Sequence, residues 1–128
     1  MAEPVVQVVA VYDADGGVVG ETVYALKHLF GAADCALCAV SHSGMRRRPE
    51  WDALVAELPV PVRLVHRNET SAKEKEALVL SGLPAVLGVR RDGSLTALLG
   101  PTGVAAAEGS VEEFGRSLRA ALATDGTA

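Results

Sequence analysis

The stretch Val5–Tyr12 constrains the fold of this chain more than any other part of the sequence. Its residues are mostly β-branched, and Gln7 is the only strongly polar side chain among them. A strand with one face in water alternates apolar and polar residues, whereas a strand covered on both faces is a continuous apolar run. The segment therefore predicts a central strand of a layered domain.

The other elements follow from hydrophobic spacing, caps and turn residues. Apolar residues at helical spacing, together with proline or capping-box starts, predict helices over Val19–Phe30, Pro49–Leu58, Ser71–Leu80 and Ser110–Leu122. Strands are predicted over Pro61–His66, Gly82–Val89 and Leu95–Leu99, and Gly100–Gly109 is predicted to be a loop. An Asp92-Gly93 turn predicts that the last two strands form a hairpin.

The segment Cys35–His42 is ambiguous, and taken as a strand it completes the order βαβαβαββα. Alternation of this kind predicts an α/β domain with a mostly parallel central sheet and an antiparallel C-terminal hairpin. We expect a single domain over residues 1–123 and a disordered tail over residues 124–128.

Composition limits the partners of the protein. The chain has 128 residues with 12 Lys and Arg against 16 Asp and Glu, and its net charge of −4 disfavours nucleic acid, whose phosphates require a basic face. No apolar run approaches the roughly 18–20 residues that span a bilayer, and the N-terminus does not have the pattern of a signal peptide. The sequence therefore predicts a cytoplasmic protein that binds neither nucleic acid nor membranes.

The predicted element order resembles that of the thioredoxin-like superfamily. Leu83-Pro84 before the penultimate strand, followed by the hairpin and a C-terminal helix, is similar to the half of that fold that bears its cis-proline. The resemblance implies a three-layer domain in which Pro84 shapes a substrate groove. In that superfamily a cysteine pair begins a helix opposite the cis-proline, whereas here His42-Ser43-Gly44-Met45 could hold that position.

A second resemblance rests on two short motifs. Tyr12-Asp13-Ala14-Asp15-Gly16-Gly17 is followed by Cys35-Ala36-Leu37-Cys38, and both motifs resemble those of a group of small bacterial proteins with a YxADGG turn and a CxLC motif. That group has no settled activity. The resemblance implies only that the two motifs belong together.

Cys35 and Cys38 have the spacing of a redox pair. On a turn or at a helix start the two sulfurs can reach disulfide geometry, and nearby cations such as Arg46 lower the pKa of a thiol. One cysteine would attack as a thiolate and the other would resolve the intermediate, which predicts a thiol-based redox protein or thiol-disulfide oxidoreductase. Its substrate would be a small molecule or a protein thiol or disulfide.

The same cysteines have two other interpretations. Together with His42 they supply three ligands of a zinc or copper site, which would require a fourth from Asp15, His28 or His66. In a regular strand, however, the two sulfurs would point to opposite faces, and the cysteines would be small buried apolar residues.

Asp13 and Asp15 follow the first strand, at the sheet end where open α/β proteins place ligands. The motif resembles the first motif of haloacid-dehalogenase-type phosphatases, which implies Asp13 as nucleophile, Asp15 as acid–base group and magnesium at the phosphoryl oxygens. Ser41 or Ser43 would then match the second motif and Lys73 or Lys75 the third, while the late acidic motif is missing. The alternative is a turn that caps the next helix.

The residues before the second predicted helix form a candidate anion site. Arg46, within three consecutive arginines, could hold a phosphate or carboxylate, and Ser43 lies close to it in sequence. The alternative is a solvated loop. We therefore count Ser43, Arg46 and Pro84 as candidate substrate-binding residues.

Overall fold

A computed structural model describes residues 3–13, 36–43 and 46–124. Its strands are β1 (Val5–Tyr12), β2 (His42–Ser43), β3 (Arg46–Arg47), β4 (Val62–His66), β5 (Ala85–Arg90) and β6 (Leu95–Leu99). Its helices are α1 (Ala36–Ser41), α2 (Pro49–Glu57), α3 (Ala72–Ser81), α4 (Pro101–Ala105) and α5 (Val111–Thr124), and a single 3-10 turn spans Arg67–Glu69. The predicted Val19–Phe30 helix and residues 125–128 of the predicted tail lie outside the described residues.

The main sheet has the order β4-β1-β5-β6, with β1 parallel to β4 and antiparallel to β5. The α/β class, the central position of β1 and the β5–β6 hairpin are therefore confirmed. The prediction of a mostly parallel sheet is wrong, because β5 runs antiparallel to β1 and leaves one parallel pair in this sheet. After α3, the chain enters the sheet on the side of β1 opposite to β4, and β5 runs in the direction opposite to β1.

The segment Cys35–His42, which the sequence left ambiguous and which the order βαβαβαββα takes as a strand, is helical over Ala36–Ser41. Leu37, Val40 and Ser41 are all fully buried, and their spacing of three and four residues puts them on one face of a helix. Alanine and leucine also favour helix over strand. The predicted order βαβαβαββα is therefore not observed in the described residues. The predicted loop over Gly100–Gly109 also contains a helix, α4, which begins with proline at its first turn.

Both faces of β1 are covered, as its continuous apolar sequence requires. Val8 and Ala10 pack in a cluster with Phe114 of α5, whereas Val9 and Val11 pack on the other face with Leu78 of α3. The larger cluster also contains Leu37 and Val40, so α1 belongs to the core on the α5 side of the sheet. The described part of the chain contains no helix that is both long enough and apolar enough to cross a membrane.

The Leu83–Pro84 peptide bond is cis, as the thioredoxin-like resemblance implied, and Pro84 is buried immediately before β5. The chain turns at Gly82, two residues before Pro84, and the φ of +81° at this position favours glycine. A Cβ added at Gly82 would lie 3.2 Å from Cγ of Pro101, the first residue of α4. The Gly82–Pro84 loop is therefore held against the start of α4.

Candidate functional site

The carboxyl ends of β1 and β4 lie side by side, because the two strands are parallel and Tyr12 is in register with His66. The next residue on each strand is charged, and the Arg67 guanidinium lies 3.2 Å from the Asp13 carboxylate. Both side chains of this ion pair are about half exposed. Because ligands in open α/β sheets bind beyond the carboxyl ends of parallel strands, we take this edge as the candidate site. We call it the strand-end site, and its residues are Tyr12, Asp13, Ser41, His66, Arg67 and Glu69.

Tyr12 connects the strand-end site to α1. Its hydroxyl lies 2.8 Å from Oγ of Ser41, and Ser41 Oγ donates to the carbonyl of Leu37 at 3.1 Å. Since Ser41 has one hydroxyl proton and gives it to Leu37, the Tyr12 hydroxyl is the donor in their contact. Tyr12 and Ser41 are both buried. This buried hydrogen bond fixes the last turn of α1 against the end of β1.

His66 and Glu69 form a hydrogen-bonded pair beside Tyr12. One Glu69 carboxylate oxygen accepts from both the backbone N–H and the ring Nδ1 of His66, each at 2.7 Å. These two hydrogen bonds, the backbone one first, hold the pKa of the Glu69 carboxyl below its ordinary value. Because an ionised carboxylate only accepts hydrogen bonds, we assign the His66 proton to Nδ1. No other described residue makes a hydrogen bond to the second ring nitrogen, Nε2.

The sequence-predicted site residues fall into three groups. Asp13 lies in the strand-end site, and Pro84 lies close to it because the neighbouring Ala85 pairs with Val11. The second group lies in α1 and in the strands that follow it: Cys38 is in α1, His42 and Ser43 form β2, and Arg46 lies in β3, where it pairs with Ser43. The third group, Cys35, Asp15 and the alternative ligand His28, lies outside the described residues.

Two residues of the phosphatase hypothesis, Asp13 and Ser41, lie in the strand-end site, but the described residues complete neither the metal set nor the phosphatase set. Within residues 3–13, 36–43 and 46–124, no group of three or more His, Cys, Asp and Glu side chains could hold a metal ion. Asp13, the implied phosphatase nucleophile, is in an ion pair with Arg67. Both hypotheses stay predictions, because the metal set includes Cys35 and the phosphatase set includes Asp15.

The sequence interpretation missed most of the strand-end site. The sequence predicts Tyr12 only as the end of the first strand and the start of the YxADGG motif, predicts His66 only as a strand end or a fourth metal ligand, and indicates no role for Glu69. A useful signal was present in the spacing of His66 and Glu69, which places two hydrogen-bonding side chains three residues apart directly after a strand. The contact between Tyr12 and His66, whose ring centroids are 5.0 Å apart, depends on the β1–β4 register instead.

Comparisons with family models, curated proteins and solved structures found no match to this chain.

We expect Tyr12→Phe to lower the free energy of unfolding by about 1 kcal/mol, because it removes a buried hydrogen bond and keeps the ring. The second variant of a double-mutant cycle is Ser41→Ala, which removes the other partner of the same hydrogen bond. Urea unfolding of both single variants and the double variant measures the coupling between them, which we expect to be about 1 kcal/mol. Fully additive losses would contradict the role of this contact in holding α1.

Proposed function

We propose that this protein is a thiol-based redox protein with a thioredoxin-like domain, in which Cys35 and Cys38 form the reactive pair. The sheet order β4-β1-β5-β6 supports the domain assignment, because it places the parallel pair β1–β4 beside an antiparallel hairpin that begins after Pro84. A thiol-redox protein needs two sulfurs close together and a surface that receives the substrate sulfur.

The helical backbone of Ala36–Ser41 is the observation that carries this proposal. In an extended strand, residues at the spacing of Cys35 and Cys38 point to opposite faces, and no disulfide can close between them. A chain that enters a helix at this point instead brings residues three apart onto one side. Helical structure from Ala36 onwards therefore favours the redox interpretation over that of two buried cysteines in a core strand.

The position of α1 is the second support. Its last residue, Ser41, is hydrogen bonded to Tyr12, and α1 packs against α4. The start of α4 in turn contacts the Gly82–Pro84 loop. The cysteine-bearing helix, the cis-proline loop and the strand-end site therefore belong to one edge of the sheet.

The reaction is a two-electron thiol–disulfide exchange. One cysteine thiolate attacks a substrate disulfide, forming a mixed disulfide and releasing the first substrate thiol. The second cysteine attacks the mixed disulfide, which releases the second substrate thiol and leaves a Cys35–Cys38 disulfide. The substrate gains two electrons and two protons, the protein loses them, and an external dithiol returns the protein to its reduced form.

Other candidate residues take supporting roles in this proposal. Pro84 shapes the surface on which the substrate sulfur lies, and Ser43 and Arg46 stay candidate substrate-binding residues. The substrate is a small-molecule or protein disulfide.

Metal analysis combined with thiol counting tests this proposal against the metal-binding alternative. We expect protein purified under reducing conditions to contain less than stoichiometric zinc and copper and to expose two titratable thiols, which disappear together on mild oxidation and return with dithiothreitol. One bound zinc or copper ion per chain, with both thiols protected until a chelator is added, would support the site of Cys35, Cys38 and His42 instead. Thiols that react only after unfolding would contradict both functions.

A further inference from the structure

We propose that two copies of this protein associate through the outer edge of β6, in an antiparallel ladder that pairs Leu95 of each copy with Ala97 of the other. The contact joins the two main sheets into one continuous sheet. No cysteine takes part in it, so it is independent of the proposed redox function.

The outer edge of β6 presents backbone groups that point away from β5. Within residues 3–13, 36–43 and 46–124, β6 pairs with β5 alone. At the hairpin the Arg90 N–H donates to the Ser94 carbonyl at 2.8 Å, so these two residues form a hydrogen-bonded pair. Because such pairs alternate with non-hydrogen-bonded ones, the N–H and C=O groups of Leu95 and Ala97 face outwards. The register shifts after Ala97, which makes Leu95–Ala97 the regular part of this edge.

The two edge strands of the described sheet differ in composition. The β4 edge carries Arg63 and follows Pro61, and charged residues and prolines keep sheet edges from pairing with another chain. In contrast, β6 has the sequence Leu-Thr-Ala-Leu-Leu, without a charge or a proline. The β6 edge is therefore the one whose composition permits a further strand.

Charge favours a second copy of the chain as that strand. In a two-fold contact each residue near the axis lies close to its own counterpart, so a charged side chain there is repelled by its copy. With a net charge of −4, two copies of this protein need an uncharged surface to associate, and β6 supplies one. A strongly charged partner segment finds no opposite charge on this strand.

The side chains beside the edge fit the same arrangement. Leu95 and Ala97 line an open groove between β6 and α3, and Leu80, which is 90% exposed, lines the α3 wall of that groove. In the proposed ladder, Leu95 of the second copy lies beside the small Ala97 on this face and covers Leu80. The paired segment is short and buries well under the roughly 800 Å² per partner of a standard stable interface, so we expect a weak, reversible dimer.

Disulfide trapping tests the register of the ladder. The outward pairing of Leu95 with Ala97 places Thr96 opposite Thr96 of the second copy as a non-hydrogen-bonded pair, whose side chains are close together. In a Cys35→Ser, Cys38→Ser background and a glutathione redox buffer, we expect Thr96→Cys to give at least about tenfold more disulfide-linked dimer than Ala56→Cys. Ala56 is the control because it is exposed on α2. Equal trapping of the two variants would overturn the proposal.

Sedimentation over a range of protein concentrations tests the surface without a cross-link. We expect the wild-type protein to form a reversible dimer and Ala97→Lys to weaken it at least about tenfold, because the substitution puts a charge on the exposed edge. The matched control is Val79→Lys on α3, at a position that is 84% exposed and outside the groove, which should leave association unchanged. Circular dichroism verifies that both variants are folded. A wild-type dimer that both substitutions affect equally, or that neither affects, would overturn the proposal.

Amide hydrogen exchange at Leu95 and Ala97 distinguishes the possible occupants of the edge. We expect exchange at both amides to slow as the protein concentration rises. Slow exchange at every concentration would assign the edge to another segment of the same chain. Rapid exchange in a protein that stays monomeric at millimolar concentration would leave the edge to a partner of different sequence. Either result would overturn the second copy as occupant, and neither affects the proposed redox function.

Discussion

Replacing Cys35 or Cys38 with serine is expected to abolish disulfide turnover while the domain stays folded. Each variant loses one of the two sulfurs that the exchange requires, and serine cannot accept or release electrons in its place. We expect the attacking-cysteine variant to show no reaction and the resolving-cysteine variant to stop at a mixed disulfide with one substrate half attached. Mass measurement after incubation with hydroxyethyl disulfide distinguishes the two variants and identifies which cysteine attacks.

The matched control for this prediction is Ala39→Ser, which adds a hydroxyl to α1 and keeps both thiols. It should turn over the disulfide at close to the wild-type rate. Because Cys35 and Cys38 are the two cysteines of the chain, residual turnover in their double serine variant could not come from another protein thiol. Two single variants that are merely less stable, with turnover otherwise unchanged, would show that the cysteines serve only in packing.

Phe114→Ala is expected to lower the free energy of unfolding by about 3–5 kcal/mol, the largest stability effect we predict. Phe114 has no exposed surface, and its ring centroid lies 5.4 Å from that of Trp51 on α2. The truncation leaves a cavity where α5, α2 and the sheet meet, and a loss of this size is a large part of the stability of an ordinary domain. Because α1 packs against α5, we also expect the strand-end site to loosen.

The control for Phe114 is Leu80→Ala, which truncates an apolar side chain that is 90% exposed on α3. It should change the free energy of unfolding by no more than about 0.5 kcal/mol. Urea unfolding of both variants gives the comparison. A loss below about 1 kcal/mol for Phe114→Ala would contradict the position of this ring at the centre of the core.

Elements with strong local signals could be predicted from the sequence. The uninterrupted apolar run of β1 identified the strand that is covered on both faces, and Asp92-Gly93 identified the β5–β6 hairpin. The Ser71 capping box was also predicted, and both of its reciprocal hydrogen bonds with Glu74 are present. In each case the deciding interaction lies within a few residues of sequence.

Elements whose structure depends on distant contacts could not be predicted in the same way. Helix α1 has only six residues, too few for apolar spacing to separate helix from strand, and its buried face is defined by packing against α4 and α5. The antiparallel entry of β5 follows from the path of the chain around the sheet rather than from the composition of β5.

The strand-end site shows the same limit for function. Asp13 could be proposed from its place after a strand, because polar residues at strand ends are a general signal. Tyr12, His66 and Ser41 come together only through the parallel register of β1 with β4 and the packing of α1. No spacing in the sequence encodes those two contacts.

Equilibration of the protein in dithiothreitol redox buffers, with acid trapping and peptide mapping, tests the central claim most directly. We expect a single two-electron transition in which a Cys35–Cys38 disulfide replaces two thiols within one chain, reached equally from the oxidised and the reduced side. Thiols that stay reduced across the whole range of buffers, or that link only between chains, would contradict a redox function for this pair.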